Sequence, residues 1–201
     1  EARHGAFSSS VHERLLSISA PTIDRILKPY KALKGKSTTR SGGFRDEIPI
    51  QENIWNIEEP GFLEVDTSAH CGGSLLGEYI SSFMTVDIAS TWTEARAVWG
   101  KGSNAIVQAI EDIENDLPFE IKGYDSDNGT EVLNQHVLRY FRDERVARNK
   151  SPVQVTRARP YKKNDNAHVE QRNWSVARRW LGYERLDCKD LVGLVNHYYK
   201  D

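Results

Sequence analysis

The chain has 201 residues, 28% of them charged, a formal net charge of −2 and two cysteines. The length suits one domain with a sizeable core plus a smaller appendage, and the absence of any run of eighteen apolar residues excludes a transmembrane helix. Two cysteines outside any CxxC pair make no disulfide framework, so a reducing, cytoplasmic location is expected. The N-terminus lacks both Met and a signal-peptide pattern, and we therefore expect a fragment of a longer protein.

Residues 1–35 are predicted to form two short helices. Apolar residues recur at helical spacing from Leu15 to Leu27, with a break at residues 19–21, and a second helix is expected to open at Thr22 or just before it. A proline suits the first turn of a helix. Two short helices around a tight turn favour a partial helix-turn-helix that binds DNA, and a plain helical hairpin is the alternative.

Residues 36–59 lose this periodicity. They are rich in Lys, Ser, Thr, Gly and Arg, which is typical of a linker. A basic linker in a DNA-handling protein can follow the phosphate backbone, and a merely soluble linker is the alternative.

Residues 60–201 have the pattern of a larger α/β domain. Strands are predicted within 61–69, 77–90 and 91–99, followed by a helix over 103–116 and a strand within 119–125. Further elements are expected near 131–145 (helix), 152–158 (strand), 165–182 (helix) and 189–199 (helix). A meander followed by alternating helix and strand predicts a mixed sheet flanked by helices.

Three carboxylates occupy positions that such a fold can bring together. Asp66 ends the first strand, and Asp127 follows the fourth strand in the turn sequence SDNG. Glu170 lies in a predicted core-facing stripe of a helix. The other members of that stripe are apolar: Ala167, Trp174, Ala177 and Leu181. A carboxylate in such a stripe must be paired, neutralised or bound to a metal, and three of them suit a pair of Mg²⁺ or Mn²⁺ ions.

Basic residues concentrate around the third acid. Residues 139–185 contain thirteen Lys or Arg residues and five Asp or Glu residues. By itself, this excess of positive charge is equally consistent with a solvated surface. Beside a catalytic site, it favours a polyanionic partner. Trp174 and Trp180 are expected in the core rather than stacked on bases. The candidate DNA contacts are Lys162, Lys163, Asn166, Arg172, Asn173, Arg178 and Arg179.

Several other side chains are alternative candidates for binding metal or phosphate. Asp125 competes with Asp127 as the second acid. The pair His70-Cys71 resembles half of a metal site but has no partner pair, which favours a structural role. His168 is expected either to contact phosphate or metal-bound water, or to be a satisfied structural histidine.

The segments GFLEVDTSAHCGG, GYDSDNGTEVLNQHVLRYF and RARPYKKNDNAHVEQRNWSVARRWLGY closely resemble the catalytic core of DDE transposases of bacterial insertion sequences, and more distantly that of retroviral integrases. The resemblance implies a ribonuclease H-like fold with a mixed five-stranded sheet flanked by helices. It implies that Asp66, Asp127 and Glu170 bind two Mg²⁺ or Mn²⁺ ions and catalyse DNA cleavage and strand transfer. It also implies a homo-oligomer that acts on transposon ends and target DNA in a bacterial cytoplasm.

The chain departs from the family in one respect. Residues 128–169, 42 in number, separate the second acid from the third, which is longer than is usual in the family. We place the excess within residues 142–155, where a connection tolerates insertion. Two other functions therefore stay open: an inactive DNA-binding protein of the same fold, and a ribonuclease H-like nuclease without strand transfer.

Overall fold

The computed structural model divides the chain into two compact units, Glu1–Gly42 and Gly43–Asp201. The residues that the structure describes are 11, 17–19, 21–23, 25–26, 48–50, 57–100, 102–127, 129–159 and 167–200.

In the first unit, residues 21–23 are helical. The carbonyl of Ser19 accepts hydrogen bonds from the amides of Thr22 and Ile23, both at 3.0 Å, and the hydroxyls of Ser19 and Thr22 lie 3.0 Å apart. The predicted opening at or just before Thr22 is confirmed. Most of the predicted helix-turn-helix lies outside the described residues, so its DNA-binding role stays a prediction.

The second unit is built on a five-stranded sheet with the order β3-β2-β1-β4-β5. Strands β1 (Phe62–Ala69), β2 (Ile80–Asp87) and β3 (Thr93–Trp99) form an antiparallel meander. Strand β4 (Gly123–Ser126) pairs in parallel with β1, and β5 (Gln154–Arg157) pairs in parallel with β4. The predicted mixed five-stranded sheet is confirmed, with β1 at its centre.

Four helical segments accompany the sheet in the part of this unit that the structure describes. Helix α1 is Ser103–Asp116, as the sequence predicted, and α4 is Leu191–Lys200. Two segments contain a π-helical stretch, in which each amide bonds five residues back rather than four. Segment α2 covers residues 135–147: it is α-helical over Gln135–Arg139, π-helical over Tyr140–Glu144 and α-helical again over Arg145–Ala147. Segment α3 covers residues 167–181: it is α-helical over Ala167–Arg172, π-helical over Asn173–Arg178 and α-helical again over Arg179–Leu181. None of the described helices is long and apolar enough to cross a bilayer.

Alternation along β1 separates the two faces of the sheet, because successive side chains of a strand point to opposite sides. Leu63 and Val65 belong to the main core, which includes apolar residues of α1 and α2. The opposite face is covered by α3: Val169 and Ala177 pack there with Met84 and other apolar residues of β2 and β3. Burial of both faces explains why the strands tolerate long apolar runs.

The predicted core-facing stripe of α3 is right at Ala177, which is fully buried, and wrong at Glu170, which is exposed, and at Trp174, which is 58% exposed. The buried side of the helix follows Val169 and Ala177, and Asn173 lies between them at the same four-residue spacing, which places all three on one face of a helix. Trp180 was also expected in the core, and it is 65% exposed.

Part of the segment predicted as a linker belongs to the sheet. Ile48 is buried in the main core, and its carbonyl accepts a hydrogen bond from the guanidinium of Arg157 at 3.1 Å. The carbonyl of Pro49 accepts the Arg157 amide at 3.1 Å, and Ile50 forms a parallel bridge with Arg157. Residues 48–50 thus lie along the outer edge of β5.

Candidate active site

Asp66 and Asp127 lie side by side on two parallel neighbouring strands. The sequence placed Asp66 at the end of the first strand, which is wrong: β1 continues to Ala69, because residues 67–69 still pair with β2, and only Asp127 follows a strand end. The register of β1 and β4 pairs Val65 with Ser126, so the next residue of each strand lies at the same level. The turn after β4 positions Asp127, whose Oδ1 accepts the amide of Gly129 at 2.7 Å. The juxtaposition of these two acids, inferred from sequence alone, is present in the structure.

The pKa of the Asp66 carboxyl is raised to about 7. Burial is the main cause, because it penalises the charged form, and repulsion from Asp127 and from Glu170 adds to it. Two donors oppose the rise: the amide of Thr67 at 2.7 Å from Oδ1 and the Asn173 Nδ2 at 2.5 Å from Oδ2. The surroundings of Asp66 therefore favour a positive charge beside it.

Glu170 lies at the rim of this site. Its side chain is exposed on α3, yet its charge contributes to the raised pKa values of both Asp66 and Glu64. Within the described ranges, no group of three or more His, Cys, Asp or Glu side chains has a geometry that could hold a metal ion. The structure thus brings Asp66 and Asp127 together and leaves Glu170 close by without closing the triad.

A second tier of carboxyls lies beneath these acids, and sequence reasoning missed one of them. Glu64 is only 2% exposed, and its Oε2 accepts the amides of His168 at 3.1 Å and Val169 at 3.2 Å, at the start of α3. Burial raises its pKa to about 7, and the charge of Asp125 adds to the rise. Asp125 is itself buried and accepts the hydroxyl of Thr156 at 2.6 Å.

The register of the two strands explains this arrangement. Glu64 is paired with Asp125 in the parallel ladder, and each lies two residues before an acid of the upper tier. Because strand side chains alternate, Glu64 shares a face with Asp66, and Asp125 shares a face with Asp127. The acidic pattern E-x-D and D-x-D was the signal in the sequence. Asp125, engaged by a threonine beneath the strand ends, suits a metal less well than Asp127.

Asn173 has a different role from the one predicted. It was a candidate DNA contact, but its side-chain amide donates to Asp66 at 2.5 Å. Its Oδ1 is buried and has no hydrogen-bond partner among the described residues. Asn173 therefore belongs to the acid site, where its amide nitrogen holds one oxygen of Asp66 in place.

The other predicted DNA contacts divide into three groups. Lys162, Lys163 and Asn166 lie outside the described residues. Arg172 and Arg178 are half-buried, and Arg178 donates to the carbonyl of Ala69 at 2.9 Å while its guanidinium lies 5.0 Å from the ring centroid of Tyr183. Arg179 is exposed, with its guanidinium 5.6 Å from the ring centroid of Trp180.

His70 has the structural role that its lack of partner residues favoured. It is fully buried, its Nε2 lies 2.7 Å from the hydroxyl of Ser82, and that hydroxyl lies 2.5 Å from the Tyr199 hydroxyl on α4. Burial, with a smaller contribution from Arg178, lowers the pKa of His70 to about 4. The Ser82 hydroxyl thus links β2 to α4, and the His70 ring bonds to that hydroxyl from the end of β1. Its neighbour Cys71 pairs through its backbone with Arg185.

The chemistry of the two aspartates fits a hard divalent cation. Asp66 and Asp127 offer carboxylate oxygens at the same level of the sheet, and Mg²⁺ and Mn²⁺ prefer such oxygen ligands. Burial raises the pKa of Asp66 most, and the negative charges of Asp127 and Glu170 raise it further; a bound cation would offset that repulsion.

Known proteins resemble this chain in sequence and in structure. No family model matches it. The uncharacterized protein y4rM of Sinorhizobium fredii (strain NBRC 101917 / NGR234) is 35% identical over 204 residues, which is 98% of this chain and 56% of that protein. The chain thus spans little more than half the length of this relative. The catalytic core domain of BIV integrase aligns with a TM-score of 0.45 and 13% identity over 69% of this chain and 80% of its own.

Proposed function

We propose that this chain is the catalytic part of a DNA transposase or integrase, which cleaves DNA and transfers the freed strand with the help of divalent metal ions. One observation carries the proposal: Asp66 and Asp127 stand at the same level on adjacent parallel strands, with the charge of Glu170 acting on Asp66. A site that cleaves phosphodiesters with two metal ions needs acids from separate elements to converge at one place.

Asp66, Asp127 and Glu170 are the residues that would hold two Mg²⁺ or Mn²⁺ ions. When bound, such ions activate a nucleophilic hydroxyl and stabilise the leaving oxygen of the phosphodiester. The chain's own residues orient these ligands. Asp66 lies on the central strand, with one oxygen held by the Thr67 amide and the other by Asn173. Of the three acids, Asp66 would be the most firmly held ligand.

The proposed substrates are transposon ends and target DNA. Because two ends must be joined together, we propose that the protein acts as a homo-oligomer. Its proposed location is the bacterial cytoplasm. Support comes from α3, where Arg179 and Trp180 are exposed near one end and Trp174 is exposed one turn from Glu170. Exposed arginines neutralise phosphates, and aromatic rings stack on unpaired bases. Lys162, Lys163 and Asn166 precede this helix and remain proposed DNA contacts.

The test is a cleavage and joining assay with the purified chain, Mn²⁺ and a labelled duplex that carries the end sequences of the genetic element encoding it. We expect a nick at the end of the element and a slower joined product, both abolished in Asp66→Asn and in Asp127→Asn. Absence of product, or equal product from Asp66→Asn, would overturn the proposal. Nicking of any duplex without joining would instead indicate a ribonuclease H-like nuclease.

A second candidate is a DNA-binding protein of the same fold that has lost catalysis. The exposure of Glu170, together with the lack of a metal-holding group of three acids in the described part of the chain, favours this candidate. The long separation of Asp127 from Glu170 favours it as well. End-specific binding that is unaffected by Mn²⁺, with no cleavage, would decide for it.

A further inference from the structure

Two hydrogen-bonded links join β1 to α3, one on each side of Glu170. On one side, the carboxyl of Glu64 accepts the amides of His168 and Val169 at 3.1 and 3.2 Å. On the other side, Asn173 donates to Asp66 at 2.5 Å. The backbone that carries Glu170 is therefore held between two points of the strand that carries Asp66.

The spacing of the two links is matched on strand and helix. Glu64 and Asp66 are two residues apart on one face of β1, which corresponds to roughly 6.5–7 Å along a strand. The amides at 168 and 169 precede Asn173 by four to five residues, which corresponds to roughly 6–7.5 Å along a helix. Equal spacings let both links form at once with α3 lying along β1, so neither link can shift without straining the other.

The link from Glu64 is not an ordinary helix cap. An N-cap side chain normally comes from the residue just before the helix. Here the acceptor lies 104 residues earlier in the chain, on the central strand, and is 2% exposed. Burying a carboxyl costs stability unless it is well paired, so capping the helix alone does not explain a glutamate at this position. What it achieves is a defined position of α3 relative to the acid site.

We propose that Glu64 is a positioning residue: its carboxyl holds the start of α3 so that Glu170 faces Asp66 and Asp127. This role rests on the proposed metal-dependent function. Glu64 itself touches neither metal nor DNA and acts through the helix. Residues that orient metal ligands in this way typically contribute about 10–100-fold to metal affinity.

The link is tested first by hydrogen–deuterium exchange of the whole chain without metal. We expect Glu64→Ala to lose protection at the His168 and Val169 amides, and Glu64→Gln to keep it, because the glutamine oxygen still accepts. Asp87→Ala is the matched control: Asp87 is another buried carboxyl of the sheet that accepts backbone amides, those of Gly61, Phe62 and Ser90. It should leave the α3 amides protected. Unchanged exchange in Glu64→Ala would overturn the proposal.

The positioning role is tested by Mn²⁺ titration calorimetry. We expect Glu64→Ala to raise the Kd for Mn²⁺ roughly tenfold or more, and Glu64→Gln and Asp87→Ala to change it less than threefold. In a Glu170→Gln background, Glu64→Ala should have no further effect, because Glu64 acts through Glu170. An equal loss in both backgrounds, or no loss in either, would overturn the role. Failure of the wild-type chain to bind Mn²⁺ would instead overturn the proposed function itself, and the exchange result would still report whether the link exists.

Discussion

The candidate site is organised around the carboxyl of Asp66, which is crowded by charges of its own sign. Asp127 stands beside it on the neighbouring strand, and Glu170 acts on it from the helix above. Thr67 and Asn173 each donate to one of its oxygens, but burial and repulsion outweigh them and raise its pKa to about 7. A group held this way destabilises the metal-free protein when ionised, which is the usual cost of a preorganised metal site.

We predict that Asp66→Asn stabilises the metal-free protein at pH 8 by about 1–3 kcal/mol. Since the folded-state pKa is about 7 and the ordinary value is 3.8, the folded state binds the proton more tightly than the unfolded state. The contribution of Asp66 to stability is therefore complete below about pH 4 and is lost as the pH rises to 7. Asparagine keeps the shape without the charge.

Urea unfolding of the two proteins in EDTA measures this difference. The difference in free energy of unfolding between Asp66→Asn and the wild-type chain should be small at pH 4.5 and reach its full value at pH 8. Glu64 has a similarly raised pKa, but it is present in both proteins and cancels in the comparison to first order. An equal difference in free energy of unfolding at both pH values would show that the folded protein does not raise the pKa of Asp66.

At the scale of elements, α3 decides which side chains meet the sheet and which meet solvent. Val169 and Ala177 are buried against the sheet and Asn173 reaches Asp66, whereas Glu170 and Trp174 are exposed. The π-helical stretch begins at Asn173, and such stretches are frequent at functional sites. The helix thus places an amide on Asp66 and an exposed indole one turn from Glu170.

We predict that Trp174→Ala weakens the binding of single-stranded DNA roughly tenfold, because stacking of a base on an aromatic ring contributes about 1–3 kcal/mol. Trp174→Phe should retain most of the affinity. Fluorescence anisotropy with a labelled oligonucleotide at fixed salt measures the change. Trp92→Ala is the control, since Trp92 is 45% exposed on the turn between β2 and β3. Equal losses in the two alanine variants would contradict a specific role for Trp174.

At the scale of the whole molecule, a buried ion pair ties α2 to α1 beneath the sheet. Arg145 is fully buried, and its Nε donates to Glu114 at 2.6 Å, while its terminal nitrogen donates to the carbonyl of Ile121 at 3.2 Å. The Tyr140 hydroxyl donates to the other oxygen of Glu114 at 2.6 Å. This network lies on the face of the sheet opposite α3, so it supports the fold without touching the acid site.

We predict that Arg145→Ala lowers the free energy of unfolding by about 3 kcal/mol, because Glu114 loses its fully buried partner and keeps only the Tyr140 hydroxyl and an ion pair with the partly exposed Lys150. The double variant Arg145→Met, Glu114→Leu should recover most of that loss. Arg148→Ala provides the control: its ion pair with Glu111 is exposed and should contribute little to stability. Urea unfolding at pH 7 measures all three, and a loss in Arg145→Ala no larger than in Arg148→Ala would contradict the prediction.

The sequence by itself determined the order of the elements and the two acids on neighbouring strands. Apolar periodicity is local, so α1 and the strands of the meander could be placed from it. Asp66 stands in a clear strand and Asp127 in a turn sequence, and the parallel pairing of β1 with β4 brings them together. Each of these inferences needed only neighbouring residues and the general topology of a mixed sheet.

The tertiary structure alone decided how α3 sits on the sheet, and with it the surroundings of the acids. A helical wheel allows two neighbouring faces that both contain Ala177, and the one that the sequence favoured put Trp174 in the core and overlooked that Asn173 reaches Asp66. The link from Glu64 to Val169 joins residues more than a hundred positions apart, and only packing can align their dipoles. Local pattern specifies which residues form an element, whereas the rotation of that element about its axis is set by the contacts it makes.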